Sequence, residues 1–136
     1  METVKTPLVK TALVAGLVML FSGNLVRAHH SIALQFDMTT EIVVVGNILE
    51  MEWRNPHSWL HVEVENESGD LEIWRVEFGS ANSLYRRGWR RDDLPIGVEV
   101  TIHGLPARDG SRQMEGDEIT FADGRSLFSG SGPQRE

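Results

Sequence analysis

The sequence predicts a mainly β protein: a small five-stranded barrel of the OB type, with one short helix between its third and fourth strands. Three observations support this fold class. Short runs alternate between apolar and polar residues, turn-forming residues separate the runs, and one segment with helical character follows the third run. This order of elements is that of the OB-fold, a partly open Greek-key barrel. A small β-sandwich or another barrel is the alternative.

The first three predicted strands come in succession. Residues 41–53 are rich in β-branched residues, and Gly46 inside this long run predicts a bulge or sharp bend. Residues 59–65 alternate strictly, which turns Leu60, Val62 and Val64 to one face. A hairpin loop at residues 66–70 leads into residues 71–78, which alternate again, with Glu77 on the outward face.

The helix and the last two strands follow. Residues 80–87 begin with a Ser cap, end with arginines and are followed by Gly88, as expected for a short helix. Residues 98–104 alternate, and residues 114–122 supply the last strand after a turn at residues 108–110. We therefore expect one domain over residues 29–128 and a disordered tail over residues 129–136.

The N-terminal residues 1–28 have the pattern of a signal peptide. A basic region containing Lys5 and Lys10 precedes an unbroken apolar run at residues 12–21, and Ala28 ends a small-residue cleavage pattern. As a helix the run would rise only about 15 Å, roughly half of a hydrocarbon core. We expect cleavage, a periplasmic or secreted protein and no integral membrane segment afterwards; an uncleaved N-terminal anchor is the alternative.

The composition excludes several classes of function. The chain has no cysteine, which excludes disulfides, thiolate metal sites and cysteine nucleophiles. It has 13 Lys and Arg against 20 Asp and Glu, a formal net charge of -7. Such a charge argues against nucleic acid as a partner, because nucleic-acid binders must neutralise phosphates.

The histidines suggest a metal site. Cleavage after Ala28 would make His29 the first residue, so that its amine and its imidazole could chelate one metal ion together. A third nitrogen, from His57 or His61, would complete a T-shaped site suited to copper. The predicted metal ligands are His29, His30 and His57, with copper as the cofactor; His61 would lie about 13 Å from His57 along the strand, too far to share an ion. The alternative is a solvated chain end.

Two further groups of residues predict a binding surface. The first surrounds the turn before the second strand and consists of Asn55, His57, Trp59 and His61. The second is the basic segment at residues 86–91, whose predicted ligand-binding residues are Arg86, Arg87 and Trp89. Arginines bind carboxylates and phosphates through two parallel hydrogen bonds. Alternatively, they pair with the abundant acids of the barrel, and the tryptophan belongs to the core.

Several segments together resemble a known family. They are Ala28-His29-His30-Ser31, Phe36-Asp37, the run from Glu52 to His57, the run from Phe78 to Trp89, and the run from Ala122 to Phe128. Together they resemble a bacterial family of short exported proteins that is described only as a domain of unknown function. The resemblance covers nearly all of the expected mature chain. It implies a single periplasmic or secreted domain and carries over no activity.

Three hypotheses of function remain at this point. The first is an exported binding or accessory module whose partner is a small ligand or an envelope protein. The second is a copper protein or copper enzyme that uses His29, and the third is a structural envelope component. Nothing specifies a substrate channel and no catalytic residue is identified, so binding is favoured over catalysis; small barrels of this type commonly bind, although fold alone does not prove function.

Overall fold

The computed structural model describes residues 32–130. Residues 32–35 are helical, and the remaining described residues form six strands, one complete α-helix and one 3-10 turn. The strands are β1 (Ile42–Glu52), β2 (Ser58–Glu65), β3 (Leu71–Phe78), β4 (Glu99–Pro106), β5 (Gln113–Phe121) and β6 (Ser126–Phe128). The helix is α1 (Ala81–Arg86), and the 3-10 turn is Arg91–Asp93. These elements all lie in one compact unit that begins at Gln35.

Five of the strands close into a barrel. The strand order is β3-β2-β1-β4-β5, with antiparallel neighbours throughout, and a parallel pairing of β3 with β5 joins the two ends. This mixed barrel, with α1 between β3 and β4, confirms the predicted OB-like fold. The prediction lacked β6, a short strand that pairs with the free side of β5.

The alternation of each strand turns one set of side chains into the barrel. Leu60 and Val62 of β2 and Val76 and Phe78 of β3 are buried, as the sequence predicts, while Val64 is half-buried. Because side chains of a strand alternate between its two faces, the residues between them point outward. Ile48, Ile102, Met114 and Ile119 complete the centre of this core.

A β-bulge in β1 lies at Leu49 rather than at Gly46, where the sequence predicted it. Ile48 pairs with Val62, but the next pair joins Glu50 to His61, so Leu49 is one residue too many for the partner strand. The extra residue shifts the alternation by one position. As a result the even-numbered Ile48 points inward, whereas the even-numbered Glu52 points outward.

Gly46 has no bulge, and its close contact with β2 accounts for a glycine at this position. Its pairing with Val100 of β4 is regular, and a Cβ atom added there would collide with the backbone of Glu63 and come within 2.8 Å of the Val64 side chain. The glycine therefore allows β1 and β2 to approach closely at the point where their pairing begins.

Helix α1 begins and ends with recognisable capping interactions. The Ser80 hydroxyl accepts a hydrogen bond from the Ser83 N–H at 3.2 Å. At the other end Gly88 has φ of 96°, and the N–H of Trp89 donates to the Leu84 carbonyl at 3.1 Å. With the bond from Gly88 N–H to Tyr85, this is a Schellman motif, which turns the chain back towards the helix.

The ordered chain continues beyond the predicted domain end at residue 128. Ser129, the first residue of the expected disordered tail, is buried, and its hydroxyl donates to the Gly116 carbonyl at 2.8 Å. The rest of the tail from residue 131 and the expected signal peptide lie outside the described residues. Within residues 32–130, no helix combines the length and the apolar character needed to cross a membrane.

Candidate functional site

Polar and aromatic side chains gather on the outer surface of β1, β2 and β3, near the loop that joins β1 to β2. Pairing places Glu52 beside Trp59, and Trp59 beside Glu77, across three adjacent strands. The next row joins Glu50, His61 and Arg75. We call this surface the Trp59 face; it consists of Glu52, Arg54, His57, Trp59, His61, Arg75 and Glu77.

The loop before β2 positions His57 at the edge of this face. Its Nδ1 atom lies 2.6 Å from Oε1 of Glu77 on β3. The imidazole side chain is 48% exposed, whereas the side chain of Glu77 is only 8% exposed. A buried carboxylate therefore fixes one ring nitrogen of a histidine whose ring still reaches solvent.

Glu77 is an unusual residue for the outer surface of a barrel. Trp59 is its neighbour on β2, and Glu115, which is also buried, is its neighbour on β5. Burial raises the pKa of Glu77, and the neighbouring His57 and Arg75 oppose this rise to a smaller extent. The closing β3–β5 pairing thus sets two buried carboxylate residues side by side.

A second histidine–carboxylate pair lies on the same face. Nε2 of His61 lies 2.7 Å from Oε1 of Glu52, and the Arg54 guanidinium lies 2.6 Å from the other oxygen of that carboxylate. The hydrogen bond from His61 lowers the pKa of Glu52, with a smaller contribution from Arg54. The bulge at Leu49 makes this pair possible, because it turns Glu52 outward.

Trp59 and Arg75 form the centre of the face. The Arg75 guanidinium lies over the indole ring of Trp59, 4.4 Å from its centroid. A guanidinium stacked on an aromatic ring keeps its N–H groups at the rim, where they can bind a carboxylate or another acceptor. The face thus combines hydrogen-bond donors and acceptors with a flat apolar surface.

Asn55 supports the loop at the base of the site. Its side-chain oxygen accepts a hydrogen bond from the Asn82 N–H at 3.3 Å, and the Arg54 carbonyl accepts one from the Ala81 N–H at 2.8 Å. Both bonds attach the loop to the first turn of α1. The peptide between Asn55 and Pro56 is cis.

The other predicted binding group does not join this face. Trp89 is fully buried in the core, where its ring packs edge-on against Phe78 and its Nε1–H donates to the Phe128 carbonyl at 2.9 Å. Arg86 and Arg87 are exposed at the end of α1. The predicted surface of arginines around an accessible tryptophan is therefore absent, because the Schellman motif turns Trp89 inward.

The predicted metal ligands are only partly within the described chain. His29 and His30 lie outside it, and His57 is the predicted ligand that it contains. His57 and His61 bind different carboxylates. Residues 32–130 contain no group of three histidine or carboxylate side chains arranged to hold a metal ion.

The sequence prediction missed four residues of this face: Glu52, Arg54, Arg75 and Glu77. The three on strands, Glu52, Arg75 and Glu77, occupy outward positions, where charged side chains are usually solvated. No local pattern in the sequence marks Glu77, because its burial follows from the pairing of β3 with β5, which is distant in the chain.

Comparison with known proteins identifies a family without assigning an activity. The model of a family of unknown function, DUF6152, matches residues 18–116. No curated protein matches the chain.

Proposed function

Because the chain belongs to this family of unknown function, its role has to be argued from its own residues, and we propose that it is an exported binding module whose ligand contacts the Trp59 face. The observation that carries the proposal is the buried Glu77 carboxylate, held beside Trp59 by a half-exposed His57. Export rests on the signal-peptide pattern of residues 1–28.

Stability alone is a poor reason for this arrangement. Burying a carboxylate beside a half-exposed histidine seldom stabilises a fold more than apolar side chains of similar size would. In an exposed sheet face, the same groups provide fixed donors and acceptors beside an aromatic plane. The ligand that fits best is a small polar molecule with both donor and acceptor groups and one flat side that can cover Trp59.

Copper is the second candidate ligand, and the geometry of His57 favours it. Metal-binding histidines characteristically use one ring nitrogen for the metal and donate the other N–H to a carboxylate. The Nδ1 contact with Glu77 gives His57 this arrangement and leaves Nε2 as the free nitrogen. The remaining ligands in this proposal are the terminal amine and imidazole of His29 after cleavage.

A thermal-shift screen against small polar metabolites tests the binding module. We expect compounds that stabilise the native protein to lose most of their effect in Trp59→Leu and Glu77→Gln, because both changes alter the face. Arg86→Ala is the matched control and should keep the full effect. If every stabilising compound acts equally on all three variants, the Trp59 face is not the binding site.

A second set of variants distinguishes copper from an organic ligand. Copper(II) and zinc(II) are titrated into the mature protein that begins at His29, into a form extended by one N-terminal alanine, and into His57→Ala. Copper binding predicts an affinity loss of about tenfold or more in both altered forms, whereas His103→Ala should bind as tightly as the native protein. Equal affinities in all forms would exclude the proposed copper site. Mass spectrometry of the exported protein establishes its first residue.

A further inference from the structure

A gap opens in the barrel where β1 and β2 separate. The two strands pair from Glu52 back to Asn47, which lies opposite Glu63. Before Asn47, residues 42–46 of β1 pair with β4 on one side only, and Val64 and Glu65 of β2 pair with β3 only. Within residues 32–130, no strand pairs with the two edges that face this gap.

The backbone of β1 directs hydrogen-bonding groups into the gap. The N–H of Ile48 donates to the Val98 carbonyl, and the Ile48 carbonyl accepts from the Gly97 N–H, so this residue turns its backbone towards the β4 side. Backbone groups alternate in direction along a strand. Val43 and Val45 therefore turn their N–H and carbonyl groups towards β2, where the pairing has ended.

Apolar residues and acids together line the gap. The space has a volume of about 450 Å³. Val43 and Val45 are 53% and 48% exposed, although valines at such positions are usually covered. The lining residues are Val43, Val44, Val45, Val64, Glu65, Asn66, Glu67, Glu72 and Trp74. Glu65 and Glu67 are exposed, whereas Glu72 is bound to Arg112 and Asn66.

We propose that this gap binds an extended peptide segment of a partner protein, which adds a strand to the free edge of β1. Strand addition uses backbone hydrogen bonds for affinity and alternate side chains for specificity. Apolar side chains of the peptide would contact the valines and Trp74, and lysine or arginine side chains would approach Glu65 and Glu67. The occupant is therefore a basic segment with alternating apolar residues.

Charge and edge chemistry both favour this occupant. Proteins usually protect a free strand edge with lysine, proline or a covering element. On the free edge of β1, the exposed residues are Val43 and Val45 instead. The chain carries a net charge of -7, and two of the residues that line the gap, Glu65 and Glu67, are exposed acids. An acidic segment, or a second copy of this acidic chain, would meet charges of its own sign.

Binding of a short blocked peptide of alternating valine and lysine tests the proposal by calorimetry or fluorescence anisotropy. We expect saturable binding that weakens by about tenfold or more when Val43 and Val45 are replaced by lysine, or when Glu65 and Glu67 are replaced by lysine. Thr101→Lys is the matched control, because Thr101 lies beside Val45 on β4 but outside the gap. This variant should bind the peptide with at most a small loss.

Two changes to the peptide test the mode of binding. N-methylation of alternate peptide amides should abolish binding if the peptide adds a strand, and a valine–glutamate peptide should bind at least about tenfold more weakly. Equal binding of the lysine and glutamate peptides, or unaltered binding of the methylated peptide, would overturn the proposal. So would a dimer at micromolar concentration that Val45→Lys dissociates, because a second copy would then occupy the gap.

Discussion

Each of the three histidines that the structure describes contacts a carboxylate through one ring nitrogen. His57 contacts Glu77, His61 contacts Glu52, and His103 contacts Glu41 at 3.3 Å. The partners differ in burial, and only the Glu77 carboxylate is nearly inaccessible to solvent. Since a buried carboxylate remains close to its imidazole, His57 has the most firmly fixed ring of the three.

The pKa of Glu77 predicts how stability changes with pH. In the unfolded chain Glu77 loses its proton near pH 4.5, whereas burial keeps the proton on the folded protein to higher pH. Between pH 4.5 and the higher pKa of Glu77 in the folded protein, the folded state binds more protons than the unfolded state. The free energy of unfolding therefore falls as pH rises through this range. We expect Glu77→Gln to remove this decrease, as measured by urea unfolding from pH 4.5 to 8. The stability of the variant should therefore rise relative to the native protein as pH increases through this range.

Glu72→Gln is a control with the opposite sign. The hydrogen bond from Arg112, and then that from Asn66, lower the pKa of Glu72 to about 2. Its contribution to stability is present above about pH 4.5 and is lost as pH falls towards 2. Glu72→Gln should therefore be less stable than the native protein at neutral pH, and the difference should disappear in acid. The same pH trend in both variants would contradict the assigned environments.

Single residues also show what the sequence could and could not predict about the site. His57, Trp59 and His61 were identified because their residue types are suited to binding. The burial of Glu77 could not be predicted, because it depends on the parallel pairing with β5, which is distant in the chain. No local pattern distinguishes such a glutamate from a solvated one.

At the scale of the elements, the strands and the helix follow from local patterns, but two of their details do not. Alternation predicted β2 and β3 closely, and Ser80 and Gly88 predicted the ends of α1. The bulge at Leu49 results from how β1 pairs with β2, and the composition of the segment does not predict it. Trp89, in contrast, could have been assigned to the core, because the residue after the glycine of a Schellman motif commonly packs against the helix.

The burial of Trp89 beyond the end of α1 predicts that a substitution there lowers the free energy of unfolding. Trp89→Phe removes the donor to the Phe128 carbonyl and leaves unfilled space, so we expect a loss of about 1–3 kcal/mol in the free energy of unfolding. Arg86→Ala, at an exposed position of the same helix, should change it by about 0.5 kcal/mol or less. Urea unfolding monitored by circular dichroism measures both. Equal effects of the two changes would place Trp89 outside the core.

At the scale of the whole molecule, closure of the barrel brings distant parts of the chain together. The β3–β5 pairing joins Val76 to Met114, and a Cβ atom added to Gly116 would lie 2.6 Å from Val76 and overlap the Phe78 ring. Gly116 also holds the C-terminal segment, since its carbonyl accepts the Ser129 hydroxyl. The end of the described chain thus depends on the same region that closes the barrel.

Truncation tests whether this segment belongs to the folded domain. A chain that ends at Phe128 lacks two hydrogen bonds of Ser129, one to the Gly116 carbonyl and one to the Asp117 carbonyl, each 2.8 Å long. We expect it to be less stable than a chain ending at Gly130 by about 1–3 kcal/mol. Thermal unfolding of the two chains measures the difference. Indistinguishable midpoints would show that residue 128 is an adequate domain end.

The extra residue in β1 also determines which positions of this strand face the core and which face solvent. Removing Leu49 would let the pairing run directly from Ile48–Val62 to Glu50–His61. Glu52 would still face outward beside His61 and Met51 would still face the core, so a strand without the extra residue keeps these contacts but has one regular alternation. Sequence alignments and mutational libraries therefore need separate inside and outside assignments for the two halves of this strand, with the change of phase at Leu49.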